Sequence, residues 1–112
     1  MSEFLDFEVK AVRLLVREFF SEDQLTAILA SSSLVSYEYT GAGYFLTVRH
    51  SMLPTERVVC DSPNVVGAAS NVQCGFVVFL ESGELTLECH SWGDPPVPED
   101  FREQDVEVTI LA

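Results

Sequence analysis

The sequence predicts an α+β domain in which two N-terminal helices pack on a mainly antiparallel sheet of five to six strands. Two observations lead there. Apolar residues recur near every 3.6 positions up to Ala30, and near every second position for most of the chain from Leu34 onward. Residues 74–92, CGFVVFLESGELTLECHSW, set two β-rich runs around Glu81, Ser82, Gly83 and Glu84, the composition of a tight turn.

Taking the elements in order, residues 4–20 carry Phe4, Leu5, Val9, Val12, Leu15, Val16, Phe19 and Phe20 as one apolar stripe. Acids come early in that run and Arg13 and Arg17 late, which suits the helix dipole. Ser21 opens a Ser-Glu-Asp-Gln capping box, so a second helix is expected over residues 22–30, burying Leu25, Ile28 and Leu29. Val35, Tyr37 and Tyr39 then alternate with Ser36, Glu38 and Thr40 as a first strand. Gly41, Ala42 and Gly43 turn the chain into a second strand over residues 44–50. The Gly-Ala-Gly is a hairpin turn and not a dinucleotide loop, because a β run follows it where a helix would be required.

A short third strand is expected over residues 56–60. Residues 61–71, DSPNVVGAASN, read as a loop from their Ser, Pro, Asn and Gly content. In the central hairpin the first arm, residues 75–80, is apolar at every position after the glycine, which predicts cover on both faces. The second arm alternates, with Leu85, Leu87 and Cys89 on one face and Glu84, Thr86, Glu88 and His90 on the other. Prolines at 95, 96 and 98 then interrupt regular structure, residues 99–102 suit one helical turn, and Val106, Val108 and Ile110 alternate with Glu107 and Thr109 as a last strand. No linker divides residues 1–112, so a single domain is expected. A strongly curved sheet wrapped around the first helix is the alternative architecture.

Charge narrows the partner classes. Six Lys and Arg against eighteen Asp and Glu give a net charge of −12. Such a surface repels phosphate backbones and anionic membranes, so neither nucleic acid nor membrane is an expected partner, and it steers basic proteins inward. The same charge also serves solubility alone. Cys60, Cys74 and Cys89 are an odd number without CxxC spacing, which fits buried free thiols in a reducing compartment. The opening MSEFLDFE has no signal-peptide pattern and no apolar run is long enough to span a bilayer, so a soluble cytoplasmic protein is expected.

No catalytic constellation emerges. Adjacent strand residues face opposite ways, so Cys89 and His90 do not pair as nucleophile and base, and pairing of His50 with a cysteine depends on strand order. Metal-ligand spacing is absent, Glu84 and Glu88 look solvated, and no enzyme, metal or cofactor is expected. The expected function is protein binding through an acidic surface, with an inhibitor of a basic partner as its concrete form. An immunity protein neutralising a nuclease toxin follows that logic, since a nuclease must offer a positive cleft. The expected partner-binding residues are Glu84, Glu88, His90, Trp92, Asp94, Glu99 and Asp100, with Trp92 or an exposed tyrosine such as Tyr44 as the apolar anchor. The alternatives are a structural or regulatory homodimer joined at apolar surface or a strand edge, and a small-molecule binder with a pocket between the first helix and Tyr37, Tyr39 and Tyr44.

Overall fold

The computed structural model describes residues 3–111. Helix α1 (Asp6–Val16) starts where the Glu8 side chain accepts a hydrogen bond from the Leu5 amide at 2.8 Å. It is shorter than the apolar stripe predicts, and the stripe's Phe19 lies exposed beyond its end. Helix α2 (Glu22–Ser31) carries the expected capping box: the Gln24 amide donates to Ser21 Oγ at 3.1 Å, and the Ser21 amide to Gln24 Oε1 at 2.9 Å. Arg13 on α1 reaches Glu22 and Thr26, which ties the two helices together.

The remaining elements are β1 (Ser33–Tyr39), β2 (Gly43–Arg49), β3 (Val58–Ala69), β4 (Val72–Glu81), β5 (Glu84–Ser91), a 3₁₀ turn (Phe101–Glu103) and β6 (Glu107–Ile110). All six strands join one antiparallel sheet in the order β1-β2-β5-β4-β3-β6. The hairpin β4–β5 therefore occupies the centre, as its composition predicts. Both helices pack on one face. On that helix face Tyr44, Leu46 and Val48 of β2 continue into Leu85, Leu87 and Cys89 of β5, then Cys74, Phe76, Val78 and Leu80 of β4, all buried.

Four expectations are corrected. Residues 61–69 are strand and not loop, leaving only Ser70 and Asn71 as a turn: β3 runs on to Ala69, and its register with β4 slips only between Cys60 and Val65. Turn-forming residues enter a strand here because the slip absorbs residues 61–64 as a bulge, after which small side chains fit a crowded layer. At Gly67 a Cβ would stand 2.9 Å from both Cys74 Sγ and Phe76 Cε2, so the glycine serves close packing and not flexibility. The first strand also carries a bulge, between Leu34 and Ser36, so Val35 leaves the face that Tyr37 and Tyr39 share with β2. The third correction concerns β4, which is covered on one face only. Val77 and Phe79 point away from the helices and are half-buried by strand neighbours.

Tyr44 is the fourth, since it is 1% exposed and cannot anchor a partner. Its register puts it on the helix face, where its hydroxyl donates to Glu8 Oε2 at 2.5 Å. Burial and the adjacent Glu8 carboxylate raise its phenol far above the ordinary range. The space considered for a small-molecule pocket, between α1 and the three tyrosines, is occupied by this contact and by Arg102, whose guanidinium lies over the rings of Tyr37 and Tyr44.

Candidate functional site

The face of the sheet opposite the helices has no covering layer among the described residues. Its composition follows from strand alternation, because every helix-face residue is flanked by two that point outward. Across the middle, Phe45, Glu88 and Val77 are register neighbours on β2, β5 and β4. The next row holds Thr47, Thr86, Phe79 and Val59, with the two threonine hydroxyls 2.8 Å apart. Phe45, Val77 and Phe79 are half-buried, and Val59 is 44% exposed. The centre of the face is thus apolar, with one carboxylate set into it.

Charges ring that centre unevenly. At the hairpin end Arg49 pairs with Glu84, and Arg57 pairs with Glu81 at 3.1 Å while lying over the Phe79 ring. Both basic residues of the face are thereby committed. No ion pair or hydrogen bond reaches Glu88 among the described residues, although its side chain is half-buried between Phe45 and Val77. Such a carboxylate retains an unmatched field in a partly desolvated setting, where a cation is worth more than at a fully wet surface.

At the other end of the face, His90 lies opposite Gly75, and a Cβ at position 75 would stand 2.6 Å from His90 Nε2. The absence of a side chain there lets the imidazole lie down on the sheet. His90 Nδ1 is buried with no hydrogen-bond partner. Beyond it Trp92 donates its backbone amide to the Gln73 carbonyl at 3.0 Å, and its indole is 45% exposed.

The expected partner-binding residues separate into groups. Glu84, Glu88, His90 and Trp92 share the open face, with Glu84 neutralised by Arg49. Asp94 is exposed in the connection that follows. That connection is fixed by Val97, which is buried, donates its amide to Ser91 Oγ and accepts the Tyr39 hydroxyl at 2.8 Å. Glu99 and Asp100 are exposed past this anchor, and Glu99 lies close enough to Tyr37 to contribute to the upward shift of its phenol, after burial as the main cause. They do not join the row of Glu88. Sequence reasoning omitted Phe45, Val77, Phe79 and Val59; their alternation with core residues was the available signal.

The enzyme candidates are kept apart. Cys89 is buried on the helix face and His90 points outward, while His50 is bound to Ser31 Oγ at 2.9 Å and accepts from the Met52 amide. Its hydrogen bond with Cys74, and then burial, raise the Cys89 thiol far above the ordinary range, so it is held protonated. Among the described residues no group of three or more His, Cys, Asp or Glu is arranged to hold a metal ion, and no helix is long and apolar enough to cross a membrane.

Fold and site together define an α+β domain with one helix-covered and one open sheet face. Comparison with family models, curated proteins and solved structures finds no match to this chain.

Proposed function

We propose that this chain binds a basic protein through the open sheet face, with Glu88 at the centre of the contact. The observation that carries the reading is the half-buried, unpaired Glu88 carboxylate between Phe45 and Val77, on a chain whose net charge is −12. An arginine or lysine from the partner would neutralise Glu88 as the surrounding apolar side chains exclude water, while the wider field speeds encounter. Trp92 supplies an exposed aromatic at the edge of the same face. The inhibitor form of this function, an immunity protein occluding the positive cleft of a nuclease toxin, suits the small size and charge.

The test is capture on the immobilised chain from its native host, followed by titration of the purified partner at low and high salt. A basic partner whose affinity falls steeply with salt and with Glu88→Lys is expected. Recovery of no basic partner, or a salt-insensitive complex, ends the proposal. The homodimer remains a second reading because the edge strand β1 exposes Leu34, Val35 and Tyr37. Light scattering of the purified chain over a concentration series decides it.

A further inference from the structure

Among the described residues strand β6 ends the sheet and is hydrogen-bonded on one side only, to β3. The Leu111 amide donates to the Asn64 carbonyl of the β3 bulge at 2.8 Å, and backbone direction alternates along an antiparallel ladder. Val108 and Ile110 therefore turn their amides and carbonyls toward the free edge.

Two cavities flank this strand, one on each face of the sheet. The one on the helix side, about 760 Å³, is walled by Phe4, Phe7, Val106 and Val108, with Lys10 and Asp6 also lining it. Arg102 lines it too, but its guanidinium is committed to Glu8. The cavity on the open side, about 530 Å³, is walled by Val66, Ala68, Thr109 and the Trp92 indole. Asp105 and Glu107 border both.

A strand laid along β6 would meet the free groups of Val108 and Ile110 and send successive side chains alternately into the two cavities. We infer that β6 is a docking edge for an extended segment of a partner protein, one that alternates apolar with basic residues. Apolar side chains fit against Phe4, Phe7 and Val106, within a polar rim of Asp6, Lys10 and Gln104. Basic ones lay their stems over Trp92 and Ala68 and bring their charge to Glu107. A second copy of this chain is disfavoured as the occupant, because its own edge segment, residues 104–111, carries no basic residue to meet Asp105 and Glu107, and both chains have a net charge of −12. The inference rests on the basic-partner reading for the sign of the partner's charge, and adds where and in what conformation it docks.

The probe is a capped peptide of alternating lysine and valine, titrated into the full chain. Two signals are followed: fluorescence of Trp92, the single tryptophan, and amide hydrogen exchange at Val108 and Ile110. Saturable binding that slows exchange at both amides about tenfold is expected, with a glutamate-for-lysine peptide failing to bind. Ile110→Pro removes a free-edge donor and leaves the bonds to β3, so it should weaken binding about tenfold. Should that variant misfold, N-methylation of alternate peptide amides makes the same test on the ligand. Absence of a saturable response, binding without protection of Val108 and Ile110, or equal binding of the glutamate peptide overturns the inference. Failure of the open-face reading registers elsewhere, as a protein partner indifferent to Glu88→Lys while the lysine peptide still protects β6.

Discussion

Glu8 and Arg102, 94 positions apart, join through two hydrogen bonds of 2.8 Å, from Nε to Oε2 and from Nη2 to Oε1. The Glu8 side chain is 0% exposed and that of Arg102 25%. Glu8 also accepts the Leu5 amide and the Tyr44 hydroxyl, so one carboxylate connects the start of α1, strand β2 and the segment before β6. The hydrogen bonds that the guanidinium donates to Glu8 push its already high pKa further up. One of eighteen acids is thus spent inside the fold and not on its surface.

Removing one partner leaves the other charge buried. Arg102→Met is expected to destabilise the chain by about 2–3 kcal/mol, less than a fully buried pair because Arg102 is partly wet. The triple variant Glu8→Leu, Tyr44→Phe and Arg102→Met should cost less than Arg102→Met alone, since neither an orphan charge nor the orphan Tyr44 hydroxyl remains. Urea unfolding of the three proteins measures both differences, and equal midpoints for single variant and parent would remove the buried pair from the stability argument.

Gly67→Ala forces a methyl group into contact with Cys74 Sγ and Phe76, and lies 3.1 Å from Val106 Cγ1. Overpacking of about 1–3 kcal/mol is expected, read as a lower thermal midpoint. A residue in a free loop would tolerate the change or gain from it, so an unchanged midpoint would contradict the continuous course of β3.

Stability should fall at high pH through Cys60. Burial first, and then the negative charge of Asp61, push its thiol from 9.0 up to about 11. The folded chain therefore holds this proton longer than the unfolded one. Its contribution is complete below pH 9.0 and lost as pH rises to about 11, a change of about 2 kcal/mol. Tyr44 and Cys89 act in the same direction, so the diagnostic is a smaller loss over that window in Cys60→Ala. Denaturant melts on either side of the window measure it; an identical pH dependence in the variant would exclude Cys60 as a source.

At the proposed binding face, Glu88→Lys should weaken binding of a basic partner by about 2 kcal/mol, roughly thirtyfold. Glu99→Lys, beside Tyr37, should change affinity less than about threefold. Calorimetric titration of both variants ranks them, and a larger effect at Glu99 would move the contact to the helix side.

Local signals made much of the fold legible. The capping box at Ser21, the period-2 arm through Leu85, Leu87 and Cys89, and the turn at Ser82 and Gly83 each draw on residues within a few positions, and each appears where composition predicts it. Half of the site was legible by the same route, since alternation alone assigns Glu84, Glu88 and His90 to one face. The segment of β3 from Val65 to Ala69 was not legible, because Gly67, Ala68 and Ala69 are weak strand formers held in place by pairing to β4 and β6. Glu99 and Asp100 were grouped with Trp92 by proximity in sequence, which the buried anchor at Val97 overrides.

By itself the sequence determined the α+β class, the central hairpin, the order of helix and strand types, and a strongly acidic chain, all of which depend on periodicity, turn chemistry and charge count. Only the tertiary structure decided that Glu8 is buried against Arg102, that Tyr44 is core, that Glu84 is neutralised while Glu88 is not, and that β6 is an edge between two cavities. These depend on strand order and on contacts between residues distant in sequence, for which local patterns carry no information.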